Sequence, residues 1–270
     1  IVGGGQLNSA NGHASAINGG HHHVAAGYGS VISGGQYHDI TSIGHCAAIG
    51  GGASNSVNAN YGTIGGGQGN EVGGSAATVA GGFLNVADNK YAAICGGHSN
   101  TALGYASTVA GGKTNVAVAT GSFVGGGAGH RAEGGQSFIG GGALSTTTAY
   151  GAVIGGGFQN SNSGKLAVIG GGETNNNEGD YGTIAGGEEN YIAEDKAAIG
   201  GGAMNTASGS FTVTVTGVSG EGTKSVACVG EDTTGNLGAT VSSGLDFSFG
   251  TWSQAVGRTD IDASLILTFV

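Results

Sequence analysis

The chain has 270 residues, with 63 glycines, no proline and a net charge of −10 that leaves only seven Lys and Arg. Collagen is excluded by the missing proline and the missing three-residue period, a nucleic-acid surface by the scarcity of cations, and a membrane span by the absence of any run of about 18 apolar residues. Three cysteines, Cys46, Cys95 and Cys228, are odd in number and lack metal-like spacing.

A Gly-rich, weakly charged chain invites disorder, but the register of its glycines argues against it. From the first residues onward, a Val or Ile followed by a small residue and two glycines recurs fourteen times, at Val2, Ile17, Ile32, Ile49, Ile64, Val79, Ile94, Val109, Val124, Ile139, Ile154, Ile169, Ile184 and Ile199. The spacing is fifteen residues, except for seventeen between Ile32 and Ile49. A period this short and strict marks a solenoid, in which each repeat forms one coil resting on its neighbours. Residues 1–211 are therefore expected to be all-β, a parallel β-solenoid of 15-residue coils. Ile1 lies mid-repeat without an initiator Met or a signal-like segment, which suggests a processed or excised piece of a longer protein.

Within each coil the Val or Ile is the anchor column. The residue two before it is small (Ala77, Ser107, Ser122, Ala152, Ala167), and strand alternation puts both on one face, the coil interior. Eight residues after the anchor, Ala10, Val57, Val72, Ala87, Ala102, Ala117, Ala132 and Ala207 close that interior. The two corner glycines after the anchor are expected to supply positive φ or close backbone approach, so that replacing either Gly141 or Gly142 is costly. Cys95, just after its anchor, reads as a small buried side chain.

Six residues after the anchor stands Asn in ten repeats, Asn55, Asn70, Asn85, Asn100 and Asn115 among them. Amides stacked coil on coil can hydrogen-bond along the column while satisfying turn backbone, so this column reads as a structural ladder. His23, His38, His130 and Ser145 interrupt it.

Six of the eight histidines fall in the first 45 residues, where Asp39 is the one charged side chain. Two readings stay open. They are surface or ladder residues in place of Asn, or His21 and His23, being alternate residues, point the same way, and three chains around an axis offer an octahedral set for a transition metal.

The column just before the anchor faces outward and holds Phe123, Phe138, Val153 and Val168 in consecutive coils. Such a stripe is rarely left uncovered, and a thin, Gly-rich solenoid buries little core of its own; this or a neighbouring face is expected to pack on other copies of the chain. Thr63, Thr78, Thr108 and Thr183 share the column, which raises ice binding as an alternative that the intervening Phe, Val and Ala oppose.

Farther along, Glu173, Glu178, Asp180, Glu188, Glu189, Glu194 and Asp195 occupy two successive coils. A solvated acidic belt is the plain reading. Glu173, Asp180, Glu188 and Glu189 are the residues that would bind a ligand or a cation such as Ca, and the carboxylate pairing a glycosidase needs is available by stacking, as in a polysaccharide-degrading spike. No nucleophile elbow, zinc spacing or P-loop lysine occurs, so no enzyme activity is expected and no cofactor is required.

The register stops beyond Phe211. Residues 212–270 are expected to form a small C-terminal β domain or cap, with strands near Phe211 to Thr216, Lys224 to Val229, Leu245 to Phe249 and Ser264 to Val270.

The segment Tyr61-Gly-Thr-Ile-Gly-Gly-Gly-Gln-Gly-Asn70, continued by Tyr91-Ala-Ala-Ile94 and Asn100-Thr-Ala-Leu-Gly104, resembles the head repeats of YadA-like trimeric autotransporter adhesins and the glycine-richer repeats of bacteriophage tail fibres and tailspikes. The resemblance covers about residues 1–211. It implies a left-handed β-roll assembled as a homotrimer, extracellular, on a virion surface or alternatively a bacterial cell surface. The implied role is attachment to a cell-surface glycan or protein receptor, with neither nucleic-acid binding nor membrane insertion. The family's repeat is commonly shorter by one residue, and its neck, heptad stalk and membrane barrel have no counterpart in these residues, which favours the viral fibre.

Overall fold

A computed structural model describes residues 1–209 and three further strands, Val213–Thr216, Ser225–Cys228 and Ala239–Val241. The described residues contain strands and no helix. Each coil contributes two short strands. One ends on the anchor, as in Phe138–Ile139; the other ends on the closing residue, as in Arg131–Ala132. Coil stacks on coil with parallel pairing, Phe123↔Phe138 and Val124↔Ile139 on one side, Val116↔Arg131 and Ala117↔Ala132 on the other. The result is a β-solenoid with two long sheets of 14 and 16 strands, parallel throughout the coils. A third line of single bridges runs between them, from Gln6↔His21 to Glu188↔Ala203.

The strands are only two residues long because each coil reverses at left-handed residues. In the coil of Ile139 these are Gly142 (φ 92), Leu144 (φ 58) and Gly151 (φ 65). The second corner glycine is irreplaceable on two grounds: its φ, and the carbonyl of Gly157 in the next coil, against which a Cβ on Gly142 would press. The first corner glycine differs from expectation. A Cβ on Gly141 meets nothing within 4 Å and its φ lies outside the left-handed range, because this residue faces outward. Replacement is therefore costly at Gly142 and not, within the chain, at Gly141.

The interior is built from four columns, as alternation requires: beyond the first coil, whose Val2 is exposed, the anchors, the small residues before them, the closing residues and the amide column are buried. Ile139 and Ile154 are fully buried, at about 1.5–3 kcal/mol of transfer free energy each, and one or two aliphatic side chains fill a coil, the anchor with its closing residue in the pairs Ile32 with Ile40 and Ile184 with Ile192. In three successive coils the closing column is polar. Thr147 Oγ1 bonds Ser137 Oγ at 2.9 Å, Asn162 Nδ2 donates to the carbonyls of Val153 and Ala167 at 2.9 Å, and Asn177 follows. Cys95 is exposed rather than buried, since the column after the anchor emerges on the outer face of the sheet; small residues are wanted there by the close stacking of backbones, not by the interior.

The two extra residues of the coil beginning at Ile32 are absorbed in its turn, where Ile43 projects outward. Register is unbroken on both flanks, Ile32↔Ile49 and Ile40↔Val57. At the far end Val213–Thr216 adds in parallel to Ala198–Ile199, and then Ser225–Cys228 and Ala239–Val241 follow antiparallel. The parallel stack thus passes into a meander, with a strand at Ala239–Val241 that the sequence reading omits. The expected strands at Leu245 to Phe249 and Ser264 to Val270 lie outside the described residues.

Candidate interaction surfaces

The amide column fixes the corner on which every outer surface is hung. Asn70 Nδ2 donates to Gly66 O (3.0 Å) in its own coil and to Gly82 O (2.9 Å) in the next, while its Oδ1 accepts from Asn85 N at 3.0 Å. Asn55, Asn85, Asn100 and Asn115 repeat the pattern. Each side chain thereby satisfies two backbone groups that would otherwise go unpaired, each worth roughly 1–3 kcal/mol, and adds a second bond to a corner carbonyl that already accepts a backbone N–H, as Gly82 O does from Gln68 N.

The histidine end separates into two sites. His23 is fully buried in the amide column, stacked on His38 with ring centroids 4.9 Å apart. His23 Nδ1 accepts from His38 N and His38 Nδ1 from Asn55 N, both at 3.1 Å, so each ring is neutral with its proton on Nε2. Nε2 of His23, His38 and His130 points at the corner glycine of the following coil, Gly35, Gly52 and Gly142, in a geometry too poor for a full hydrogen bond. Burial lowers the pKa of all three, that of His38 to about 4 with the neighbouring His23 adding to the effect. His21 stands instead on the outer bridge line, against His22 and Tyr37. Strand alternation fails between His21 and His23 because His22 is left-handed (φ 61). With His23 spent inside the coil, this geometry offers no transition-metal site built from both residues. Among the described residues no group of three or more His, Cys, Asp or Glu could hold a metal ion.

Of the acidic residues, Glu173 and Glu188 are neighbours on the outer bridge line and Glu189 follows at φ 52. Asp180 is not with them. It lies in the turn, where its Oδ1 accepts from Lys165 N at 2.7 Å, just as Asp195 Oδ1 accepts from Asp180 N at 2.9 Å. Asp180 and Asp195 are thus turn caps. Glu178 bonds Asn176 and the Tyr191 hydroxyl, which raises the Tyr191 pKa.

The outer face of the anchor sheet is made of the residues on either side of the anchor and the first corner glycine. From the coil of Val2 to that of Ile199 these columns contain no Asp, Glu, Lys or Arg. On this face Phe123 and Phe138 stack in parallel at 5.2 Å, and Phe138 and Val168 are each more than a third exposed. Charges are confined to the other faces and turns.

A further surface went unnoticed in the sequence: the turn edge, where half-exposed tyrosines gather at Tyr28, Tyr61, Tyr91, Tyr105, Tyr150 and Tyr181. Its signal was present in the repeat as Tyr before the small column, but split between two adjacent positions. No family model matches the chain, and comparison with curated proteins finds no match either.

Proposed function

We propose that the chain is a rigid segment of an extracellular attachment fibre without enzyme activity. Each chain is a left-handed β-roll, and three copies stand about one axis with the charge-free outer faces of their anchor sheets turned inward. The observation that carries this reading is that face: uncharged along the whole solenoid, carrying the Phe123, Phe138, Val153 and Val168 stripe, and paved by first-corner glycines that no contact within the chain requires. Large apolar patches on soluble monomers are commonly interaction sites, and a straight, self-complementary face on a thin repeat protein is suited to closed symmetry with like chains. The resemblance of the repeats to tail fibres and adhesin heads supports display on a virion surface, or on a bacterial cell, and engagement of a cell-surface glycan or protein. The remaining faces, free of the axis, carry the receptor contacts.

Sedimentation equilibrium tests the assembly. A trimer mass is expected, reduced toward that of the monomer by Phe123→Asp with Phe138→Asp; a folded monomer at micromolar concentration in the wild type would overturn the reading.

A further inference from the structure

We propose that the turn edge of the first coils, formed by His13, Tyr28, His45 and Tyr61, is a binding surface for an uncharged polysaccharide chain. The proposal rests on the attachment reading for its biological sense and on the following geometry for its location. The four rings occupy the same turn in four consecutive coils. His13 and Tyr28 are parallel to within 1° at 5.4 Å, and Tyr28 meets His45 edge-on at 6.4 Å. Coils rise about 4.8 Å each, close to the length of one sugar residue in an extended glycan, so the strip repeats an exposed ring in step with such a polymer.

These rings are not there for the fold. Tyr28 is 52% and Tyr61 64% exposed, and Tyr61 sits at φ 61 in a position where other coils place residues as different as Gly29, Ala76, Gln136 and Leu166 in the same left-handed conformation. A bulky residue held left-handed costs on the order of 1 kcal/mol, which a glycine would avoid. The fold accepts many side chains at this position and calls for no aromatic one, while Tyr supplies large amphipathic contact area at low side-chain entropy.

Chemistry selects the ligand. His45 Nδ1 accepts from Tyr28 N at 3.1 Å and Asn60 Oδ1 accepts from His45 N at 3.1 Å, so the His45 ring is held in place with its proton on Nε2. Phenol hydroxyls and imidazole N–H groups beside flat apolar faces match a pyranose, which presents C–H groups on one face and hydroxyls around its rim. Through the first 70 residues Asp39 is the one charged side chain, and it stands on a strand, not in the turn. An anionic or cationic polymer would find no counter-charge; a neutral one loses nothing. Farther along the same edge Lys90 lies over Tyr91 at 4.9 Å and Lys165, Asp180 and Asp195 flank the rings, which confines the neutral strip to the first coils.

Affinity electrophoresis of the full chain through gels containing dextran, mannan or galactomannan, with alginate as the anionic control, tests the proposal. Retardation by at least one neutral polymer and none by alginate is expected, with apparent affinity falling at least tenfold in Tyr28→Ala with Tyr61→Gly. Glycine at φ 61 relieves strain, so the melting temperature of Tyr61→Gly alone checks that the loss is not unfolding. Unchanged mobility in all three neutral gels, or equal retardation of the double variant, overturns the proposal. Adsorption of labelled protein to a panel of bacterial cells separates the two readings. Equal adsorption by wild type and double variant removes this surface and leaves attachment standing. A wild type that adsorbs to no cell yet binds a neutral polymer through these tyrosines removes attachment and leaves the surface.

Discussion

The same interior slot is filled by amides in the central coils, Asn55 to Asn115, and by imidazoles in the N-terminal ones, His23 and His38. The backbone around it hardly differs: Asn70 N donates to Asn55 Oδ1 at 2.9 Å, as Asn55 N does to His38 Nδ1 at 3.1 Å. What differs is the remainder of the side chain. An Asn amide carries two N–H bonds that reach two corner carbonyls, whereas a His ring brings a single N–H that reaches neither well. The central ladder is therefore both better satisfied and indifferent to pH, and the N-terminal one is weaker and titratable. In a solenoid, where each coil rests only on its neighbours, this difference stays local.

The largest expected effect breaks the strong side of the comparison. Asn85→Ala leaves Gly81 O and Asn100 N without partners and removes one of the two bonds to Gly97 O, which keeps Phe83 N; together these losses should lower stability by about 2–4 kcal/mol. Hydrogen exchange should localise the opening to coils on either side of residue 85 and leave the first coils protected as before; uniform loss of protection would count against local cooperativity.

Acid should act on the other side. The unfolded histidines titrate at their ordinary pKa of 6.5, and the folded His38 only at about 4. Above 6.5 both states are neutral and stability is complete; as pH falls from 6.5 toward 4 the unfolded chain takes up protons that the folded one refuses, and stability is lost through that window. Protonating Nδ1 would set two donors face to face at Asn55 N. For His38 the loss is on the order of 3 kcal/mol, with His23 adding in the same direction and His21 and His22, which lie near it, opposing its charge further. Asp39, next in sequence, points outward and its own pKa is raised by burial. Protection factors corrected for intrinsic rate should fall between pH 7.5 and 5 in coils one to three and hold near Asn85; equal falls in both would break the comparison.

Exchanging the side chains sharpens it. His38→Asn should leave stability at pH 8 unchanged or higher by about 1 kcal/mol and flatten the pH dependence. Asn85→His should lose about 1–2 kcal/mol at pH 8 and acquire a decline below pH 6.5 in the central coils. Urea midpoints against pH measure both, and a flat profile for Asn85→His would mean that the slot tolerates imidazolium.

The anchors, the interior small residues and the amide column were legible in the sequence because periodicity forces each column into one environment, so fourteen copies report one position. Where columns had to be read without that redundancy, the reading failed for physical reasons. Gly141 and Gly142 are alike in sequence, yet one faces solvent and the other a carbonyl, and glycine carries no side chain to betray which. Cys95 was placed inside because smallness suits an interior, while the outer backbone stacking of its column wants smallness too. His21 and His23 obey strand alternation on paper, and a left-handed His22, invisible in a residue name, rotates them apart. The tyrosine edge was missed because its rings alternate between two turn positions, so no single column looks aromatic.

The smallest effect concerns the third occupant of the slot. Ser145 is buried like the amides, but its hydroxyl is too short to reach the corner. Its Oγ lies 3.3 Å from Asn160 N and 3.4 Å from Ala143 O, and Gly141 O and Gly157 O are left without the side-chain donor that the other coils supply. The coil here repeats its neighbours' register, Phe138↔Val153 and Arg131↔Thr146, so the volume an amide occupies elsewhere is available. Ser145→Asn should then add two N–H bonds, shorten the one to Asn160 N and stabilise the chain by about 1 kcal/mol, a rise in Tm of about 2–4 °C for a chain of this size. The gain should be independent of pH between 5 and 8, which distinguishes it from any effect of the adjacent His130. A fall in Tm would mean that the buried Thr147, Asn162 and Asn177 run has narrowed the interior at this point, and that the slot is not the same in every coil.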